Sequence, residues 1–100
     1  MKDYTTTSFD YYEIKSPDGH YGLEGKFKTR HLALSWINTS YAYAKSNGYD
    51  NRRQRWNIVI VHSTRTYTNE GEFYDESTRC SISARTRFDP KTEQYIIVKD

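Results

Sequence analysis

Along this chain the spacing of apolar residues switches from two to three-and-four and back to two, and each switch marks an element. Between Ser8 and Lys15, the residues Phe9, Tyr11, Tyr12 and Ile14 are aromatic or β-branched, the composition of a strand. Ser16-Pro17-Asp18-Gly19 follows as a turn, in which Pro presets φ at the second position and Gly takes a left-handed conformation without steric cost. His20 to Phe27 predicts a second strand, with Tyr21, Leu23, Gly25 and Phe27 on one face and Gly22, Glu24 and Lys26 on the other. The two strands make a β-hairpin. Residues 1–7, with three consecutive threonines, are expected to form a loosely held arm.

From Arg30 to about Ser46 the period changes. Leu32, Ala33, Trp36, Ile37, Ser40, Tyr41 and Ala44 fall at three- and four-residue spacing and form one helical stripe. Thr29 is the predicted N-cap, because its hydroxyl can accept from the exposed amides of the first turn. Asn47-Gly48 closes the helix, glycine being the residue that takes the left-handed position after a helix.

A polar, basic connection from Tyr49 to Arg55 leads into Trp56-Asn57-Ile58-Val59-Ile60-Val61, apolar on both faces and therefore a central strand, which continues to Tyr67 with alternation. Asn69-Glu70-Gly71-Glu72 is a turn signal, and Phe73 to Glu76 reads equally as a short edge strand or as part of a long loop. Arg79 to Phe88 alternates, with Cys80, Ile82, Ala84, Thr86 and Phe88 on one side and Arg79, Ser81, Ser83, Arg85 and Arg87 on the other. Asp89-Pro90-Lys91-Thr92 turns the chain into a last strand, Gln94 to Val98. The order ββ-α-βββ predicts an α+β fold: a single antiparallel sheet of about five strands with one amphipathic helix packed on one face. One helix covers one side of such a sheet, so the other side must meet water or a partner.

Composition sharpens this picture. Leu, Ile, Val and Phe number only seventeen in 100 residues, but ten Tyr and two Trp supply apolar area, and the net charge is only +2. The chain is one domain with an aromatic, half-polar core. The longest apolar run, Ile58 to Val61, is far short of a bilayer span, and residues 1–7 carry no apolar segment of the secretory kind. The single cysteine, Cys80, has no internal disulfide partner and reads as a small core residue. The expectation is a soluble, cytoplasmic protein without a membrane partner.

Seven of the eight arginines lie after Asp50: Arg52, Arg53 and Arg55 in one cluster, then Arg65, Arg79, Arg85 and Arg87. Strict alternation places Arg79, Arg85 and Arg87 on one sheet face, joined by Arg65 if it projects from the same face of a neighbouring strand. Guanidiniums grip phosphates and carboxylates in bidentate fashion and stack on bases, so this face suits nucleic acid or an acidic protein patch; equally, arginines on an exposed strand keep the surface soluble. The tyrosines are too many for so small a core. Tyr21 and Tyr95 are expected to fill the sheet, whereas Tyr11, Tyr12, Tyr43 and Tyr67 are candidates to face a partner, Tyr and Arg being enriched at interface hot spots.

Signals for chemistry are sparse. The acids Glu70, Glu72, Asp75 and Glu76 crowd one segment, where pairing with the arginine face is a more ordinary role than acid–base catalysis. His20, His31, His62 and Cys80 lack the short ligand spacings of a zinc site, and no phosphate-binding loop, dinucleotide turn or nucleophile elbow is present. No cofactor or metal is expected, and no catalysis.

The hairpin from Phe9 to Gly25 around Ser16-Pro17-Asp18-Gly19, followed by Thr29, a helix with Trp36 and then a sheet, resembles the small accessory proteins of bacteriophages and mobile elements, compact anti-CRISPR proteins among them. The resemblance implies a stoichiometric inhibitor occupying a surface of a host protein or nucleoprotein complex. The slightly basic charge argues against mimicry of DNA by an acidic surface. Three functions are thus expected to compete: a non-enzymatic protein-binding module using Tyr and Arg, a DNA- or RNA-binding domain gripping phosphate with Arg52, Arg53, Arg55, Arg65, Arg79, Arg85 and Arg87, and, far behind, a small hydrolase using the crowded acids. A homo-oligomer through an edge strand, either the last strand or the Phe73 segment, is also open.

Overall fold

The computed structural model describes residues 3–50 and 54–98. Five strands and one helix follow in the order β1 (Tyr4–Lys15), β2 (Gly22–Phe27), α1 (Arg30–Ser46), β3 (Asn57–Thr68), β4 (Phe73–Asp89) and β5 (Gln94–Val98). They form one antiparallel sheet in the spatial order β2-β1-β3-β4-β5, so the doubly apolar β3 is central and the fold is α+β.

The helix begins where the cap chemistry places it. The Thr29 Oγ1 accepts from the Leu32 amide at 3.1 Å, and Asn47 and Gly48 return their amides to Ala44 and Lys45 at the other end. Its buried residues Ala33, Ile37 and Tyr41 lie on Ile14, Trp56, Ile58, Ala84 and Tyr95, with Tyr12, Leu23, Phe27, Leu34, Phe88 and Ile97 packed around them. The aromatic interior is a three-ring cluster: Tyr41, Phe88 and Tyr95 sit 5.0–5.9 Å apart between centroids, Tyr95 edge-to-face with the other two. The Asn38 side chain locks the helix to the edge strand β5, accepting from the Tyr95 amide at 2.6 Å and donating to the Tyr95 carbonyl at 3.2 Å.

Length decides how much of the sheet this helix covers. Seventeen helical residues span about 25 Å, whereas the seventeen residues of β4 span about 56 Å. The molecule is accordingly elongated, 61 × 31 × 22 Å. Beyond the helix, β1, β3 and β4 continue as a three-stranded arm, with neither β2 nor β5 alongside.

Several expectations change here. Tyr4 to Thr7 are strand, paired with Thr68 to Arg65, rather than a loose arm. The Phe73–Glu76 segment is the start of β4, continuous with the arginine strand. Tyr21 precedes β2 and is exposed, while Leu23 and Phe27 do pack on the core. Cys80 is exposed and not a core residue.

Candidate docking face

Opposed residues of an antiparallel pair point to the same side, so the register assigns every arm residue to a face. Ile14, Ile58 and Ala84 align under the helix, and their side is the covered face. The opposite side carries no helix and forms successive cross-strand rows: Lys15–Asn57–Arg85, Glu13–Val59–Ile82, Tyr11–Val61–Cys80, Phe9–Ser63–Thr78, Thr7–Arg65–Glu76 and Thr5–Tyr67–Phe73. The middle rows make an apolar strip on this bare face. Val59 and Val61, 8% and 2% exposed, are its floor; Tyr11 and Phe9 on β1 and Cys80 and Ile82 on β4 are its sides, with Ile82 51% exposed.

The rings on this face are not bare. Phe9 and Tyr11 stack at 6.1 Å, Arg65 lies over the Phe9 ring at 5.0 Å, and Lys26 lies over Tyr11 at 4.8 Å. Partial burial, reinforced by the Glu13 carboxylate, raises the Tyr11 pKa. Arg65 also donates to Glu76 Oε1 at 3.3 Å, and this carboxylate holds the guanidinium above its ordinary pKa. The pairing anticipated between the acidic segment and the arginines thus exists in this ion pair, which also receives the Ser63 hydroxyl.

The arginines divide. Register shifts between Ile58 and Val59, where β4 carries an extra residue around Ser83. A bulge resets the alternation by one residue, so Arg79 faces the covered side while Arg85 and Arg87 face the bare side. The expectation of three guanidiniums sharing one face is therefore corrected. Arg65 shares the face of Arg85 but lies eight residues along β3 from its partner Asn57, about 26 Å away. What does converge is Arg55, Arg85 and Arg87, which line a depression of about 320 Å³ with Pro17, Asn57, Thr86 and Val98. Arg52 and Arg53 lie outside the described residues.

The tyrosine candidates divide too. Tyr11 and Tyr67 are on the bare face, the latter edge-to-face with Phe73 at the tip of the arm. Tyr12 is on the covered face and packs against the core, and Tyr43 is 74% exposed on the helix. Tyr12 and Tyr43 therefore do not join the bare-face group.

Pattern reading missed three features. The strip formed by Phe9, Val59, Val61, Cys80 and Ile82 was signalled by β3 being apolar on both faces of a sheet that carries one helix among the described residues. On the covered side of the arm, Asp10 Oδ1 and His62 Nδ1 pair at 2.7 Å in a row that Arg79 completes, an exposed contact that the β1–β3 register creates. The bulge at Ser83 has no sequence marker. Among the described residues no three His, Cys, Asp or Glu side chains gather as a metal site, and no helix is long and apolar enough to cross a membrane. No family model, curated protein or solved structure matches the chain.

Proposed function

We propose that this chain is a non-enzymatic binding protein that docks a partner protein on the bare face of its sheet. The observation that carries the reading is the apolar strip from Phe9 to Ile82, with Phe9, Cys80 and Ile82 exposed along a buried Val59–Val61 floor, ending at the Arg55–Arg85–Arg87 depression. Aromatic rings and guanidiniums are enriched in interface hot spots, and here Phe9 and Tyr11 border a strip that leads to three arginines; the matching partner offers an apolar ridge with carboxylates at one end. A stoichiometric inhibitor of the phage accessory kind, blocking a host protein or nucleoprotein complex, fits such a surface, because occlusion requires contact area and no reacting group.

A nucleic-acid partner is the second reading, favoured by the convergence of the three arginines and by two adjacent aromatic rings on a sheet. Against it, cations of the chain itself cover those rings, so a stacking base must first displace Arg65 and Lys26. Affinity capture with and without nuclease, repeated with Tyr11→Ser/Ile82→Asn and with Arg85→Ala/Arg87→Ala, tests the proposal. The first pair should abolish capture, and the captured protein should survive nuclease. Capture that depends only on the arginines, weakens steeply with salt and vanishes with nuclease would overturn it in favour of nucleic acid.

A further inference from the structure

In the arm, β4 is an edge strand: β3 occupies one side of it, and β5 pairs only with Arg85 to Asp89. Register irregularities at Thr66/Tyr67 and Ile58/Val59 bracket a regular stretch from Asp75 to Ile82. Along it a row of backbone donors and acceptors faces outward, the condition under which another strand adds. Protective charges on such an edge work best when they repel a second copy. Here they are of both signs: Asp75 and Arg79 share the covered-side face, four residues apart, and among the described residues neither has an oppositely charged partner.

Two copies of one edge can pair antiparallel about a two-fold axis perpendicular to the sheet, which keeps each face on its own side. Opposed residues must then share a face, so only registers centred on a single residue are allowed. Centring on Asp75, Glu76 or Arg79 sets like charges directly against each other. Centring on Thr78 sets Asp75 against Ser81. Centring on Ser77 sets Asp75 against Arg79 of the second copy and Arg79 against its Asp75, two ion pairs from one symmetric contact. The other edge of the arm, Tyr4 to Tyr11 of β1, carries only Asp10 and offers no such match.

We infer that this chain forms a symmetric dimer by antiparallel pairing of β4 about Ser77, joining two three-stranded arms into one six-stranded sheet. The partner is a second copy, selected by the Asp75/Arg79 complementarity. Both bare faces then lie on the same side of the joined sheet, presenting the strip twice, but the dimer does not depend on what that strip binds.

Sedimentation across a concentration series tests the inference. Asp75→Arg alone and Arg79→Asp alone should each weaken dimerisation about tenfold or more, since symmetry counts every reversal twice. The exchange Asp75→Arg/Arg79→Asp should restore it. Independently, Ser77→Cys in a Cys80→Ser background should form an interchain disulfide on mild oxidation, because opposed Cα atoms lie about 4.5–5.5 Å apart, within disulfide reach. Ser35→Cys on the helix in the same background should not. A protein monomeric up to about 1 mM, a dimer indifferent to both single reversals, or equal cross-linking from Ser77→Cys and Ser35→Cys would overturn the inference.

Discussion

Two isoleucines of the sheet, on opposite faces, measure how one-sided the fold is. Ile58 is 0% exposed beneath the helix, whereas Ile82 is 51% exposed on the bare face. Truncating Ile58 to alanine removes its transfer free energy and leaves a cavity walled by helix and sheet, a loss of about 4 kcal/mol. Ile82 has only half its surface to lose, and water fills the space, so Ile82→Ala should cost about 1 kcal/mol. For a domain of this size these losses lower Tm by about 20 °C and about 5 °C. Urea titration of both variants at one pH, with unchanged m-values, gives the two numbers directly. If Ile82→Ala costs as much as Ile58→Ala, something covers that face in solution and the face is not free to dock a partner. If Ile58→Ala costs less than about 1 kcal/mol, the helix does not seal the other side.

Three further outcomes follow from the packing. Asn38→Ala removes both bonds to the Tyr95 backbone and should cost about 2 kcal/mol, read as a Tm lower by about 10 °C; an unchanged Tm would mean that β5 holds to the sheet without the helix. Tyr41 buries a hydroxyl that has no hydrogen-bond partner among the described residues, so Tyr41→Phe should leave stability unchanged or raise it by about 1 kcal/mol in the same titration. Burial pushes the Tyr95 pKa up to about 12, with the charges of Tyr41 and Asp50 adding to it. The unfolded chain gives up this proton near pH 10 while the fold retains it, so the contribution is intact below pH 10 and is lost between pH 10 and about pH 12. Urea midpoints at rising pH should fall more steeply for the wild type than for Tyr95→Phe, by at most about 1.4 kcal/mol per pH unit, and equal slopes would refute this.

Where local chemistry decides structure, the chain was legible. Thr29 and Asn47-Gly48 bound the helix because caps are satisfied by their own neighbours, and the Ile58–Val61 run occupies the centre because both of its faces are apolar. Faces depend on counting by two, and a single unpaired residue breaks the count. Cys80 and Ile82 read in phase with Ala84, Thr86 and Phe88, yet the bulge around Ser83 turns the first two to the bare side. The same slip moved Cys80 out of the core and separated Arg79 from Arg85 and Arg87. Phe73 to Glu76 was ambiguous because its acids suit a loop, and only Arg65 across the sheet makes Glu76 welcome in a strand. The Arg55–Arg85–Arg87 depression takes its arginines from two segments thirty residues apart and could not be read from either alone.

Cys80, the only cysteine, sits exposed in the apolar strip and reports directly on docking. Its alkylation rate, compared between the free chain and the captured complex at one protein concentration, should fall about tenfold or more on binding, because a docked surface excludes reagent and water together. A cysteine placed at Ser35 in a Cys80→Ser background should react equally fast in both. Labelling of Cys80 at an unchanged rate in the complex, with protection at Ser35→Cys instead, would put the partner on the helix and contradict docking on the bare sheet.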